Sequence, residues 1–456
     1  MRLVIEYIEH FKHFQRNARL FLINNVLTGI TAGILLVLYN LYLVSLGYHA
    51  DFVGFVLFTG TLGAGLSIFP AGACIDRFSG KNILILSSLL IGIAGAGQIL
   101  FRQPVPLLLS SFVAGIGLAF LLVITAPFLT LNSTSEERPH LFSINISLGL
   151  ITLVLGEVIG GILPVLFRSI PLFMEPLPKG TSFLLASQPE ARSYQLALLF
   201  SGIIAIPSFI PLFMMSNVRP SRRIKNSSTR QSSPGKWFSR EGWGVASFSH
   251  IVSLINIFLQ SAFFVLVLVY VLTGFGAGLF IPYFNIYFVQ HLNASPALFG
   301  FIDGGANTIT ALLTLTAPRL AKRIGKINAI TFTRLASIPL LLIIGLTSFL
   351  PIAAILYLFR QGTMDMSAGV LQVFSMESVT ERHRGLANSS YQAAFQVPWA
   401  VAAPIGGLII VRFGYTPIFL LGAFFYLLTI IILRARFRSL RRVGTDKVQS
   451  TEAVPL

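Results

Sequence analysis

The acidic residues Glu157, Asp303 and Asp365 and the base Arg360 lie inside long apolar runs, where an ionised group is costly. Glu157 stands in Gly156-Glu157-Val-Ile-Gly160-Gly161. A carboxyl there must be protonated for part of a cycle, paired, or turned toward water, and these conditions also define a proton-coupling or cation-binding site. The other reading is a structural, hydrogen-bonded glutamate. Asp303 lies about seven residues from the end of its run and Arg360 about eight from the same side of its own, so they share a depth and are expected to pair. Such a pair is either a brace or a substrate contact. Asp365, five residues beyond Arg360, points elsewhere on the same helix.

Other chemistry is missing. The sequence has no Gly-x-x-x-x-Gly-Lys-Ser/Thr phosphate loop, and its seven histidines show no His-Glu-x-x-His or similar metal spacing. The spans offer no nucleophile, base and orienter set, so the chain is read as no enzyme, with no cofactor and no metal. The single cysteine, Cys74, excludes an intramolecular disulfide, a cysteine zinc site and an iron–sulfur cluster; it reads as a small buried apolar residue.

The elements that must position these residues are membrane helices. Hydrophobic residues make up 54% of the chain and charged ones 11%, with a mean hydropathy of +0.79, too little polar surface for a soluble fold. Twelve apolar stretches of roughly 19 to 30 residues are each long enough to cross a bilayer: 19–46, 51–74, 83–101, 105–131, 141–167, 194–216, 262–291, 296–318, 327–349, 352–375, 386–412 and 416–435. The net charge of +17 does not point to nucleic acid, because the bases sit at the ends of apolar runs. With both termini cytoplasmic, 26 of the 33 Lys and Arg fall in inner segments and five in outer ones, and Arg334 and Arg360 fall within spans. The expected organisation is an amino-terminal six-helix half (1–216), a basic linker (217–247), a carboxy-terminal half (248–435) and a basic tail (436–456). Residues 1–18 and 248–261 look weakly amphipathic and suit the membrane surface. The outer loop 168–193 gets no role.

The chain repeats itself at an offset of about 246 residues. Arg138 precedes Gly160-Gly161 by 22 residues, as Arg384 precedes Gly406-Gly407; Asn40 and Tyr42 match Asn285 and Tyr287, Gly54 matches Gly300, and Arg77 matches Arg323. A duplicated membrane bundle suits a secondary transporter with its site between the halves. Tyr39, Asn40 and Tyr42 against Phe284, Asn285 and Tyr287 are either a pseudo-symmetric pocket or interhelical glue, with Gln396 and Trp399 as weaker candidates.

The segment Gly72-Ala-Cys-Ile-Asp76-Arg77-Phe-Ser-Gly80-Lys81, with its second copy Pro318-Arg319-Leu-Ala-Lys322-Arg323-Ile-Gly325-Lys326, resembles the hallmark loop of the major facilitator superfamily, with one extra residue before Gly80. The resemblance covers nearly the whole chain and implies an all-α fold of twelve transmembrane helices in two pseudo-symmetric six-helix halves. It implies a conformational latch at Gly72, Asp76, Arg77, Gly80, Lys81, Arg323 and Gly325, the alternative being that Asp76 and Arg77 only set topology. Gly156-Glu157 to Gly161 is similar to a Gly-Pro-x-x-Gly-Gly segment of antiporters in that family, with glutamate in place of proline. Gly156, Gly160, Gly161, Gly406 and Gly407 are then gate glycines. The resemblance also places Arg360 and Asp365 on a cavity-lining helix. Gly115 and Gly117 remain from a drug-antiporter pattern, but Ser110 and Ser111 stand where its arginine is expected.

The leading expectation is alternating-access efflux of an amphipathic organic compound, with protons as the coupling ion, by a monomer in the plasma or inner membrane. The rivals are uptake of a polar metabolite, lipid translocation, and a membrane scaffold.

Overall fold

A computed structural model describes residues 14–134, 136–175, 184–217, 262–379 and 384–437, and all its regular structure is helical. Most of the linker, the 248–261 segment, residues 1–13 and the tail from 438 lie outside the described residues. The twelve long helices are α1 (Arg16–Ser45), α2 (Ala50–Arg77), α3 (Gly80–Leu100), α4 (Pro104–Leu131), α5 (Arg138–Arg168) and α6 (Pro189–Met214), then α7 (Ala262–His291), α8 (Pro296–Ile324), α9 (Lys326–Leu346), α10 (Leu350–Glu377), α11 (Arg384–Phe413) and α12 (Thr416–Phe437). Eleven are apolar enough along a full span to cross a membrane. The other, α10, has the length, and Arg360, Gln361 and Asp365 lower its hydropathy.

Local chemistry sets the boundaries. Proline in the first turn opens α4, α5, α6, α8 and α10, where its missing N–H costs nothing. Ser79 and Ser295 accept hydrogen bonds from the amides of Asn82 and Leu298, capping α3 and α8. Gly325 separates α8 from α9 at φ +86°, a conformation that favours glycine. Gly72 lies inside α2, within the expected span 51–74, and the turn that follows is Phe78-Ser79. The seventh span is not a regular helix either. A 3-10 turn at Ile281–Tyr283 and a π turn at Tyr287–His291 interrupt it, because Pro282 cannot donate to the helical ladder.

Glycines bring the helices of each half close. A Cβ on Gly156 would fall 2.2 Å from the Ile30 carbonyl, locking α5 on α1. A Cβ on Gly406 would fall 2.1 Å from the Leu279 carbonyl, locking α11 on α7. One tyrosine contact repeats across the duplication. Tyr42 donates to the Ile99 carbonyl at 2.8 Å and Tyr287 to that of Ile344 at 2.5 Å.

The halves meet along two seams, α5 on α8 and α2 on α11. Gly161 packs against Pro296 and Ala297 in one, and Gly407 against Ala50 and Asp51 in the other. Each pair of partners is offset by 246 residues. The α8 contact row, Ala297, Gly300, Gly304 and Asn307, continues at helical spacing to Ala311, Thr314 and Pro318, all exposed. On α5 the row continues to Leu150, Ser147 and Ser143, again exposed. Gly65 and Ile68 on α2 and Ala393 and Val397 on α11 do the same for the other seam. The bundle is therefore closed at the end carrying the loops 46–49 and 292–295 and parted at the end carrying 78–79 and Gly325.

At the closed end Arg192, buried, donates to the carbonyls of Phe173, Glu175, Ala186 and Ser187 at 2.6–2.9 Å. Gln195 bridges Ala186 and Leu184 to Ile99. These two side chains fold the described parts of the 168–193 loop onto α3 and α6.

Candidate functional site

The α5–α8 seam holds a polar network inside the bundle. Glu157 faces α8 from α5 and is 0% exposed. Its Oε1 accepts from Asn307 Nδ2 at 2.8 Å, and Asn307 Oδ1 accepts from Gln361 Nε2 of α10 at 2.8 Å. Its Oε2 has no hydrogen-bond partner and faces Gly304, where a Cβ would stand 3.6 Å away. The adjoining Asp303, also buried, accepts from the Tyr357 hydroxyl at 2.7 Å. The two carboxyls belong to opposite halves, and Asp303 is next in sequence to the Gly304 that Oε2 faces. Among the described residues neither has a cation within 4.0 Å, since the two ion pairs there are Arg168–Glu190 at 3.3 Å and Lys326–Glu377, both between exposed side chains.

The expected Asp303–Arg360 pair does not form. The side of α10 that meets Asp303 carries Tyr357, and Arg360 lies three residues on, turned toward α7 and α12. Its guanidinium sits 4.8 Å from the centre of the Phe280 ring and 5.8 Å from those of Phe284 and Tyr426, and Nη2 donates to the Tyr426 hydroxyl at 3.2 Å. Ring faces supply about 0.5–2 kcal/mol each toward a buried cation, and Nε stays without a partner. Arg334, also buried, donates to Thr273, Thr429 and Ser367 at 3.1–3.4 Å. Both arginines thus bind inside the carboxy-terminal half.

Asp365 is exposed and lies within electrostatic reach of both arginines. With Gln361, one turn before, and Gln372, two turns after, it makes a polar row on the side of α10 that faces the seam. Gln396 on α11 is exposed as well, and Trp399 is half-buried with its carbonyl against Gly278. The space between the parted halves is thus walled by Leu150, Ile68 and Val397 together with amide and carboxylate groups.

Asn40 and Asn285 come together at the closed end. Asn40 donates to the Pro282 carbonyl at 2.8 Å and Asn285 to that of Val37 at 3.2 Å, with the side chains 3.5 Å apart. Both are buried and hold α1 to α7, so they seal the closed end and line no open pocket. Tyr287 turns away from the seam and ties α7 to Ile344 and Thr347. The hallmark-loop residues are spread along the parted end. Lys81 donates to the carbonyls of Phe213 and Met215 at 2.7 Å, Gly80 packs on Phe128, Arg77 and Arg323 are exposed, and a Cβ on Gly72 would meet open space. The side chain of Asp76 lies outside what the structure describes. Sequence reading missed Asn307, Gln361, Tyr357 and Tyr426, and it placed Arg334 inside a span without giving it a role. Their signal was a polar residue inside a span, and it gave no direction.

The sequence profile of the Major Facilitator Superfamily matches residues 21–359 and 266–455, and the chain belongs to that family. It is a multi-pass membrane transporter of the secondary kind. No curated protein matches it in sequence. Among solved structures, a bacterial homologue of the human lysosomal transporter Spinster, inward-facing and occupied, superposes with a TM-score of 0.68 at 15% identity, covering 93% of this chain and 96% of its own. An inward-facing bacterial homologue of the iron transporter ferroportin gives 0.67 at 14%, covering 92% and 98%. A D-xylose–proton symporter gives 0.65 at 14%, covering 92% and 96%. At these identities the likeness is one of fold.

Proposed function

We propose that the chain is a proton-coupled transporter that exports an amphipathic organic compound by alternating access, with Glu157 as the proton carrier. Glu157 carries the reading: a fully buried carboxyl at a seam between halves, held at one oxygen by the opposite half and unpartnered at the other. When the seam parts, Glu157 loses Asn307 and meets water, so proton exchange and rocking become one event. Basic residues gathered at the parted end favour a cytoplasmic side there, and on that reading the conformation is inward-open. The mixed aliphatic and polar walls suit an amphipathic solute entering from that side. One chain contains both seams, so a monomer suffices. The hallmark loop acts as a latch in the opposite state, when the parted end closes. The polar row Gln361, Asp365 and Gln372 favours a second reading, transport of a polar metabolite.

The test is proton-gradient-driven movement of a panel of fluorescent lipophilic compounds in inverted membrane vesicles, wild type against Glu157→Gln. Wild type moves at least one compound and the variant moves none against its gradient. Equal movement by both removes Glu157 as carrier, and an inert panel with active polar solutes supports the second reading.

A further inference from the structure

We propose that Glu157 and Asp303 form a single proton site split between the two halves, and that the α5–α8 seam closes only when this site holds a proton. The inference rests on the proton-coupled reading and extends it to the residue that answers Glu157 from the other side. Four observations carry it. The carboxyls project from facing helices of opposite halves, and both are buried. Gly304 places no side chain beside Glu157 Oε2, and that oxygen has no donor. The donors present, the Asn307 amide and the Tyr357 hydroxyl, are neutral and serve one carboxyl each. No cation lies within 4.0 Å of either carboxyl among the described residues.

The electrostatics follow from the geometry. Two negative charges brought together in a dry seam repel strongly, and carboxyl pairs in proteins meet this by sharing a proton. The groups facing the pair are Tyr357 and, within reach of Tyr357, Arg360, both from α10; α1 presents Gly33 and Ile34 to the same stretch of α5. Arg360 is held by its aromatic cage and does not pair with Asp303. Closing the seam therefore takes a proton from water onto one carboxyl oxygen, and losing that proton to water restores the repulsion that parts the seam.

The pseudo-symmetric seam supports the assignment. The residues that match Glu157 and Asp303 at the 246-residue offset are Ala403 and Leu57. At those two positions the α2–α11 seam carries no titratable group, so the split carboxyl pair belongs to the α5–α8 seam.

The experiment reads conformation and needs no substrate. Spin labels on Ser147→Cys and Thr314→Cys in a Cys74→Ser background flank the parted α5–α8 seam, and pulsed dipolar spectroscopy of the purified protein in nanodiscs gives their separation. Acid is expected to hold the wide separation, and raising the pH to shift the population to the short one, by up to about tenfold in ratio per pH unit for one proton. Glu157→Gln and Asp303→Asn should each flatten this response. Should either fail to insert, Tyr357→Phe keeps both carboxyls, removes the donor that favours charge on Asp303, and should move the midpoint to higher pH. A flat wild-type response, a full response in Asp303→Asn, or a response to sodium at fixed pH would each overturn the proposal. Loss of gradient-driven transport in Glu157→Gln together with a flat wild-type conformational response would leave the transport reading standing and remove the split site.

Discussion

Asn40 and Asn285 exchange hydrogen bonds across the closed end as near mirror images: each amide reaches the carbonyl three residues before the other asparagine. Interhelical hydrogen bonds in a membrane contribute about 0.6–2 kcal/mol. Replacing either asparagine with alanine is expected to loosen the closed end and raise the outward-open population about fivefold, taking about 1 kcal/mol per site. Crosslinking or dipolar distances across the 46–49 and 292–295 loops measure it, and an unchanged distribution would reduce the pair to packing.

Gly300 offers a sharper test of seam closure. A Cβ there would stand 2.5 Å from the Glu157 carbonyl, whereas one on Gly72 would meet nothing within 4 Å. Gly300→Ala should abolish transport while each half still folds, and should leave the thermal stability of the protein within about 1 kcal/mol of wild type. Gly72→Ala should transport normally. Equal transport by both variants would mean that the seam does not pack this tightly in the working protein.

Arg360 and Asp303 should behave as independent sites. Each keeps a different partner, Tyr426 for one and Tyr357 for the other, so the double alanine variant is expected to lose stability as the sum of the singles within about 0.5 kcal/mol. Rescue of either single variant by the double would restore the ion pair that the structure does not contain. Arg360→Met, which keeps much of the volume inside the aromatic cage, should be milder than Arg360→Ala.

The sequence shows the helices more plainly than the site because the two rest on different signals. Run length and apolar composition mark α10 despite its three polar residues, and the repeated glycines and asparagines mark the duplication. The depth of Arg360 and Asp303 along their spans was also legible. Their facing was not: the same depth on two helices leaves the azimuth open, and Tyr357 rather than Arg360 lies on the side toward α8. Asn307 and Gln361 escaped for the same reason, since an amide in a span reads alike whether it bridges two halves or ties two neighbours. Pro282 was in plain view, but the length of the seventh run hid the break it makes.

The two seams share a backbone and differ in what fills them, one carrying Gly54 against Ala403 and Pro404, the other Gly300 against Glu157. Any motion that parts the halves must break the Glu157–Asn307 hydrogen bond on the α5–α8 side, while Ala403 at the matching place has no side-chain bond to give up, so one seam acts as a clasp and the other as plain contact.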